Sequence, residues 1–299
     1  MFGLREVSLK KRENLIGYLF VLPTLLGFLL FVLGPMIAAV VLSFYSWDLL
    51  TPPRFAGFGN YRMLLHDEHL LSVYKNTFIL VGGVVALEII IGLIIAVLIE
   101  QRFSRFLKYL LRTTYFFPYV ISATAVALVW HLLLNPDLGV VNYYLGKFGI
   151  ERINWLFSTQ WARASIILVE TWKNIGFYIV VSLAGLQNIP RQLYEAAEVD
   201  GANRLQQFFH ITLPLLSPTT FFLIIVGLIN AFQIFDMPYV LTRGGPGGAT
   251  RAVVMYIYET GFRFFSMGYA ATVSLSLFVF IAVLTLVQFR ISGKWVFYR

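Results

Sequence analysis

Charged side chains along this chain gather in short segments, and stretches such as 14–47, 113–136, 205–235 and 264–289 contain none. An α-helix rises about 1.5 Å per residue, so roughly 20 apolar residues cross a hydrocarbon layer about 30 Å thick. The pattern predicts membrane-spanning helices near residues 16–44, 74–99, 113–135, 164–187, 213–236 and 266–289. Blocks of about ten residues alternating apolar and polar positions, the mark of a transmembrane β-barrel, are not the pattern here. The expected fold is all-α, a polytopic bundle of six spans in one integrated domain over residues 16–290, with tails at 1–15 and 291–299. Pro23 and Pro35 fall inside the first span, where each costs a backbone hydrogen bond, so a kinked helix braced by neighbours is expected.

Composition supports this reading. Apolar residues make up 59% of the 299 and charged residues 13%, more apolar surface than one soluble core of that size can hide. The formal charge of +8 does not come from a basic stripe with interleaved aromatics, so nucleic acid is not an expected partner; membrane lipid is. Lys and Arg sit instead at the ends of apolar runs. With both termini inside, 13 of them fall on inner segments and nine on outer ones, which favours cytoplasmic termini and a multi-pass chain in a bacterial or archaeal inner membrane. Lys10, Lys11 and Arg12 ahead of apolar sequence resemble the start of a secretory leader. The charge-free run after them is too long for one and lacks a small-residue cleavage site, so a retained first span is expected. The absence of cysteine removes disulfides, thiol catalysis and thiolate metal sites.

One segment does not belong in lipid. From Asn188 to Thr212 the chain carries Glu195, Glu198 and Asp200 among small residues, with Leu193, Tyr194, Ala196 and Ala197 at helical spacing after Pro190. Asn188 or a neighbour is expected to cap this short amphipathic helix, and Gly201 suits a left-handed corner before a second one with Leu205, Phe208, Phe209 and Ile211 on its buried side. Leu213 before Pro214 is expected to end the unit. An acidic, Ala-tipped helix pair is repelled by an anionic leaflet, so a protein groove with positive groups suits it better.

The segment reads Glu195-Ala196-Ala197, two residues, Asp200-Gly201-Ala202, five residues, Phe208, Ile211, Leu213-Pro214 and Pro218. It resembles the EAA loop of ABC importer permeases in the form found in sugar and glycerophosphate permeases. Asn60-Tyr61, Trp172, Ala184-Gly185-Leu186-Gln187 and Thr242-Arg243-Gly244-Gly245-Pro246 extend the resemblance over nearly the whole chain. It implies that residues 190–211 are cytoplasmic coupling helices docking on a nucleotide-binding subunit, with Glu195 as charge contact, Ala196 and Ala197 as close-packed face, Asp200 beside them and Gly201 as corner. It also implies the partners: a second, related permease, by family habit a different chain; two cytoplasmic ATPase subunits, which would hold ATP and Mg2+; and an extracytoplasmic solute-binding protein. No cofactor is expected on this chain.

Polar groups inside the spans are the candidate solute site. Glu170 and Lys173 share a face of the fourth span and are expected to neutralise one another, because an unpaired charge at mid-bilayer costs on the order of 3 kcal/mol or more. By resemblance to maltose-type permeases, Asn174, Phe177, Asn230 and Gln233, with Glu170, are the candidate solute contacts; the plainer alternative is that such residues only join helices. Glu88 in the second span would suit a proton relay or, more simply, a pairing with a neighbouring helix. His66-Asp67-Glu68-His69 reads as helix surface rather than a metal site. The glycines at 244–248 lack the Lys and Ser or Thr of a phosphate loop, and no GxSxG or HExxH motif is present, so neither ATP binding nor catalysis is expected here. The reading is thus a permease subunit, set against a secondary transporter or channel working without an ATPase. Oligosaccharide, monosaccharide, polyol and glycerophosphate remain open as solute, as does which permease chain holds the site.

Overall fold

A computed structural model describes residues 3–297, which group into two compact units: residues up to 66 with 259–276, and 67–258 with 277–297. Almost all regular structure is helical.

In the first unit, α1 (Gly3–Phe28) passes through a π-helical turn at Leu29–Leu33 into α2 (Gly34–Leu42). The wide turn sits just ahead of Pro35, whose ring leaves no room for a regular turn and supplies no N–H. Glu13–Leu42 is long and apolar enough to cross a membrane, and no residue of its apolar window is buried. A two-stranded hairpin follows, β1 (Tyr45–Ser46) against β2 (Arg54–Phe55), then α3 (Gly59–Leu65). In the loop, the backbone N–H of Thr51 and then its hydroxyl hold the exposed Asp48 carboxyl below its ordinary range. Asn60 accounts for its own prominence in the sequence: buried, it donates to the carbonyls of Ser43 (2.8 Å) and Tyr45 (2.9 Å). Tyr61 bonds the Ser43 hydroxyl at 2.7 Å.

The second unit is built around α4 (Glu68–Arg102) and α8 (Thr159–Gln187). Between them run α5 (Arg105–Val120), α6 (Ala123–Leu133) and α7 (Val140–Lys147). Asn142 ties the α7 lobe together, donating to the Pro136 and Ile153 carbonyls and accepting from the Trp155 indole. After α8 come α9 (Arg191–Val199) and α10 (Arg204–Gln207), a π turn at Phe208–Thr212, α11 (Leu213–Leu215) and α12 (Ser217–Phe232). A loop and α13 (Val253–Tyr258) lead to α14 (Met267–Ser292), whose later half returns to this unit. There Phe280 packs edge-on against Phe78 and Phe232.

Among the described residues, four helices are long and apolar enough to cross a membrane, or up to six if each of two bent pairs is one span. Both bends fall in predicted spans. The run 113–135 is not one helix: α5 and α6 meet at 95° around Ile121 and Ser122. The run 213–236 is likewise broken, by a 63° bend at Leu216. Leu213, expected to break the helix before Pro214, is helical (φ −63°, ψ −45°), because the preceding π turn makes room for the proline ring.

Glycines set the helix spacing. A Cβ on Gly92 would lie 2.7 Å from that of Tyr178, and one on Gly176 would strike the Tyr115 carbonyl, whereas Gly82 has open space around it. Gly176→Ala should therefore lower stability by about 1–3 kcal/mol and Gly82→Ala should not, as read from melting curves of the detergent-purified chain.

Candidate functional site

α4 and α8 run parallel, and side-chain bonds hold their register along its length. Arg163 donates to Asn76 (2.8 Å), Asn174 to Glu88 (3.0 Å) and Gln187 to Glu100 (3.4 Å), pairs separated by 87, 86 and 87 residues. Glu88 lies twelve residues from Asn76 and twelve from Glu100, about 18 Å along the helix each way. The outer pairs are thus about a bilayer's hydrocarbon thickness apart, with the Glu88 bridge at mid-depth.

That bridge is the core of the candidate site. The Asn174 amide donates both to Glu88 and to Glu170 (2.9 Å), one turn earlier on α8. The Tyr178 hydroxyl also bonds Glu88, which is 2% exposed. Glu170 and Lys173 lie close enough to act on each other's charge, as expected. Asn174 joins them as well, its amide donating to Glu170 and its Oδ1 accepting from the Lys173 ammonium at 3.4 Å. Lys173 also lies 5.6 Å above the Tyr119 ring, and Tyr119 stacks on Phe177 at 5.4 Å and 18°. The result is a half-buried patch of carboxylate, amide, ammonium and stacked rings, the groups that bind hydroxyls and the apolar faces of a sugar ring.

Of the predicted solute residues, Glu170, Asn174 and Phe177 are joined through this patch. Asn174 and Glu170 are already hydrogen-bonded to each other, so they set its shape as well as its polarity. Asn230 and Gln233 stand apart, exposed at the end of α12. Sequence reasoning missed Tyr119, and it missed Asp236, which accepts from Thr124 at 2.7 Å across the α5–α6 bend and lies close enough to Glu170 to act on its charge. The signal for Asp236 was its place in the apolar run 231–241, an acid that only a partner can keep there.

At one end of the α4–α8 frame, Asn76 and Arg163 hold the glycine-rich loop: Asn76 donates to the Gly248 carbonyl (2.8 Å) and Arg163 to that of Ala249 (3.0 Å). Asp67 caps α4 and accepts from Tyr256 (2.6 Å), and His66 bonds the Arg62 carbonyl (2.8 Å) within α3's own turn.

At the other end, α9 and α10 follow α8 after only Asn188, Ile189 and Pro190. Asn188 caps the end of α8, not the start of α9; Pro190 takes that position. Gly201 turns the chain with φ +79°, and Asn203 and Gln206 cap α10 reciprocally. Tyr194 ties the pair together through Thr212 (2.9 Å). Glu195, Ala196 and Asp200 are exposed, Ala197 half-buried, and Val199 is 88% exposed at the tip. Leu205 and Phe209, expected on the buried side, are exposed, whereas Gln207 and Thr212 are buried.

With this geometry in hand, comparison with known proteins is informative. Residues 88–295 match the model of the family described as binding-protein-dependent transport system inner membrane component. The chain is 34% identical to the sn-glycerol-3-phosphate transport system permease protein UgpA of Yersinia enterocolitica (94% of this chain, 95% of the relative). It is 33% identical to the trehalose/maltose transport system permease protein MalF of Thermococcus litoralis (95% and 96%). It is 35% identical to the sulfoquinovosyl glycerol transport system permease protein SmoG of Agrobacterium fabrum (93% and 91%). Its fold matches a chain in the crystal structure of a bacterial ABC transporter involved in import of the acidic polysaccharide alginate, with a TM-score of 0.84 and 29% identity over 97% of this chain and 99% of that one. A chain in the same kind of transporter in complex with an alginate pentasaccharide-bound periplasmic protein matches at a TM-score of 0.83 and 28% identity, over 95% of this chain and 96% of that one.

The mid-depth bridge should register as a measurable coupling. A double-mutant cycle of Glu88→Leu and Asn174→Leu, followed by unfolding in detergent, is expected to give about 0.6–1.7 kcal/mol, since each single change strands the other polar group; additive effects would show the contact to be energetically idle.

Proposed function

The chain belongs to the family of binding-protein-dependent transport system inner membrane components, and on that premise we propose that it lines the pathway of a sugar or sugar-like solute and couples it to a separate ATPase. The observation that carries this reading is mechanical. An exposed helix pair, rigid through Gly201, the Asn203–Gln206 cap and the Tyr194–Thr212 bond, is joined by three residues to α8, the helix that holds the mid-depth polar patch.

In the proposed assembly, six spans place both termini in the cytoplasm; the bent pair α5–α6 forms one span, and α11 with α12 forms another, beyond the exposed helix pair. A second, related permease chain completes the pathway, and an extracytoplasmic binding protein delivers solute. One of the two ATPase subunits grips residues 190–211, with Glu195 as charge contact, Ala196 and Ala197 packed into the groove, and Asp200 and Gly201 at the corner. ATP and Mg2+ act on those subunits, and this chain performs no catalysis. When the ATPase closes, the gripped pair moves as a body and tilts α8, and the register bonds carry that tilt to α4. The solute meets Phe177 and Tyr119 as an aromatic platform and Asn230 and Gln233 as hydrogen-bonding groups, while Asn174 and Glu170 fix the wall beside them. The names of the relatives, which range over glycerol-3-phosphate, trehalose and maltose, and sulfoquinovosyl glycerol, favour a polyhydroxylated cargo.

Two outcomes test this. Glu195→Lys in the reconstituted transporter should cut solute uptake about tenfold or more, since like charge at a docking contact costs several kcal/mol, while membrane insertion is unaffected; unchanged uptake would count heavily against docking there. Asn230→Ala and Gln233→Ala together should raise the half-saturating solute concentration without altering assembly, and an unchanged value would move the site elsewhere.

A further inference from the structure

Beside the root of the helix pair lies a cavity that the solute path does not use. It has a volume of about 540 Å3 and opens between the ends of α4 and α8 and the first turns of α5. Lys108, Arg112 and Arg191 line it, against one carboxylate, Glu100. That carboxylate is already heavily engaged. It takes Lys108 at 3.2 Å and Gln187 at 3.4 Å, with Arg112 at 3.8 Å, beyond hydrogen-bonding distance. Among the described residues, the buried Nε of Arg112 finds no acceptor. A cavity lined by three cations and one anion is short of negative charge and of acceptor oxygens.

The rim identifies the source of those oxygens. Tyr109 lines the cavity and is 71% exposed, and Phe106 (76%) and Leu110 (48%) continue an exposed apolar flank along α5. A free anion has no use for that flank. A phospholipid does, because its phosphate meets guanidinium and ammonium groups while its acyl chains lie on the apolar helix face. The cavity also sits at the level of Glu100, one end of the span-length α4–α8 register, where headgroups belong. We infer that this cavity binds the phosphate headgroup of an anionic phospholipid, held by Lys108, Arg112 and Arg191. Because Arg191 is the first residue of α9, the headgroup would brace the root of the helix pair.

The inference requires only that α4 and α8 cross the bilayer, and it is tested on the intact transporter purified in mild detergent. Retention of phosphatidylglycerol and of phosphatidylcholine is titrated by native mass spectrometry, with melting curves run alongside. Wild type should retain phosphatidylglycerol preferentially. Lys108→Gln with Arg112→Gln should weaken that retention about 30-fold, from roughly one surface-charge contribution per cation lost. Glu100→Gln, nearly isosteric, should strengthen it, and it carries the test if the double variant does not fold. Equal retention of both lipids, or of phosphatidylglycerol by wild type and double variant, overturns the proposal, as does a Glu100→Gln variant no tighter than wild type. Binding of inorganic phosphate without retention of lipid overturns the assignment to a lipid headgroup.

Discussion

Everything in the second unit hangs on a buried polar contact between two parallel helices. Lipid offers no hydrophobic drive to associate, since acyl chains are as apolar as leucine, so packing and interhelical hydrogen bonds must hold the pair. Gly83 and Gly92 let α8 approach α4 until Ile167 and Tyr178 sit where a Cβ would be. The approach brings the Asn174 amide within 3.0 Å of Glu88. Close backbones and a satisfied carboxyl are mutually dependent. Without the glycines the amide would not reach, and without the amide a carboxyl at mid-depth would be a liability of several kcal/mol.

That mutual dependence suits α8 to the lever proposed for it. A helix held at three levels by bonds of one register does not slide on its neighbour; it tilts with it. The contacts at the two ends are of different kinds. Asn76 and Arg163 grip backbone carbonyls of the glycine-rich loop, fixing that loop to the frame. Glu100 and Gln187 belong to a charged cluster with Lys108 and Arg112, which ties the start of α5 to the same frame next to the exposed pair. Force applied at α9 therefore enters a frame of three helices rather than one.

The long apolar helices and the exposed acidic pair were legible in the sequence because both are written in local composition: long charge-free runs for the first, Glu-Ala-Ala and Asp-Gly-Ala in a non-lipid context for the second. The two bends were not. Ile121 and Ser122 are unremarkable by propensity, and the 95° turn there is set by tertiary bonds such as Thr124 to Asp236, 112 residues away. Leu213–Pro214 signalled a break that the chain moved to Leu216 by widening the preceding turn, an adjustment visible only once the backbone is traced. In the candidate site, Glu170, Asn174 and Phe177 were found as polar or aromatic exceptions on one helix face. Tyr119 was passed over because an aromatic residue in an apolar span is ordinary until its stacking partner is known.

Welding helices and meeting a solute, as proposed, make opposite demands on polar groups at mid-depth, and the geometry separates them. A residue that welds helices must have its hydrogen-bonding capacity filled, whereas one that greets a solute must keep some free. Asn174 donates to two carboxylates and accepts from Lys173, so little of it is left for a hydroxyl. The exposed amides of Asn230 and Gln233, on a different helix, are not drawn into that bridge. If the weld and the solute contacts were the same residues, each passage of cargo would loosen the helix pair that moves it. With the filled groups on the α4–α8 seam and Asn230 and Gln233 at the end of α12, the solute site proposed above can open and close while the seam stays shut.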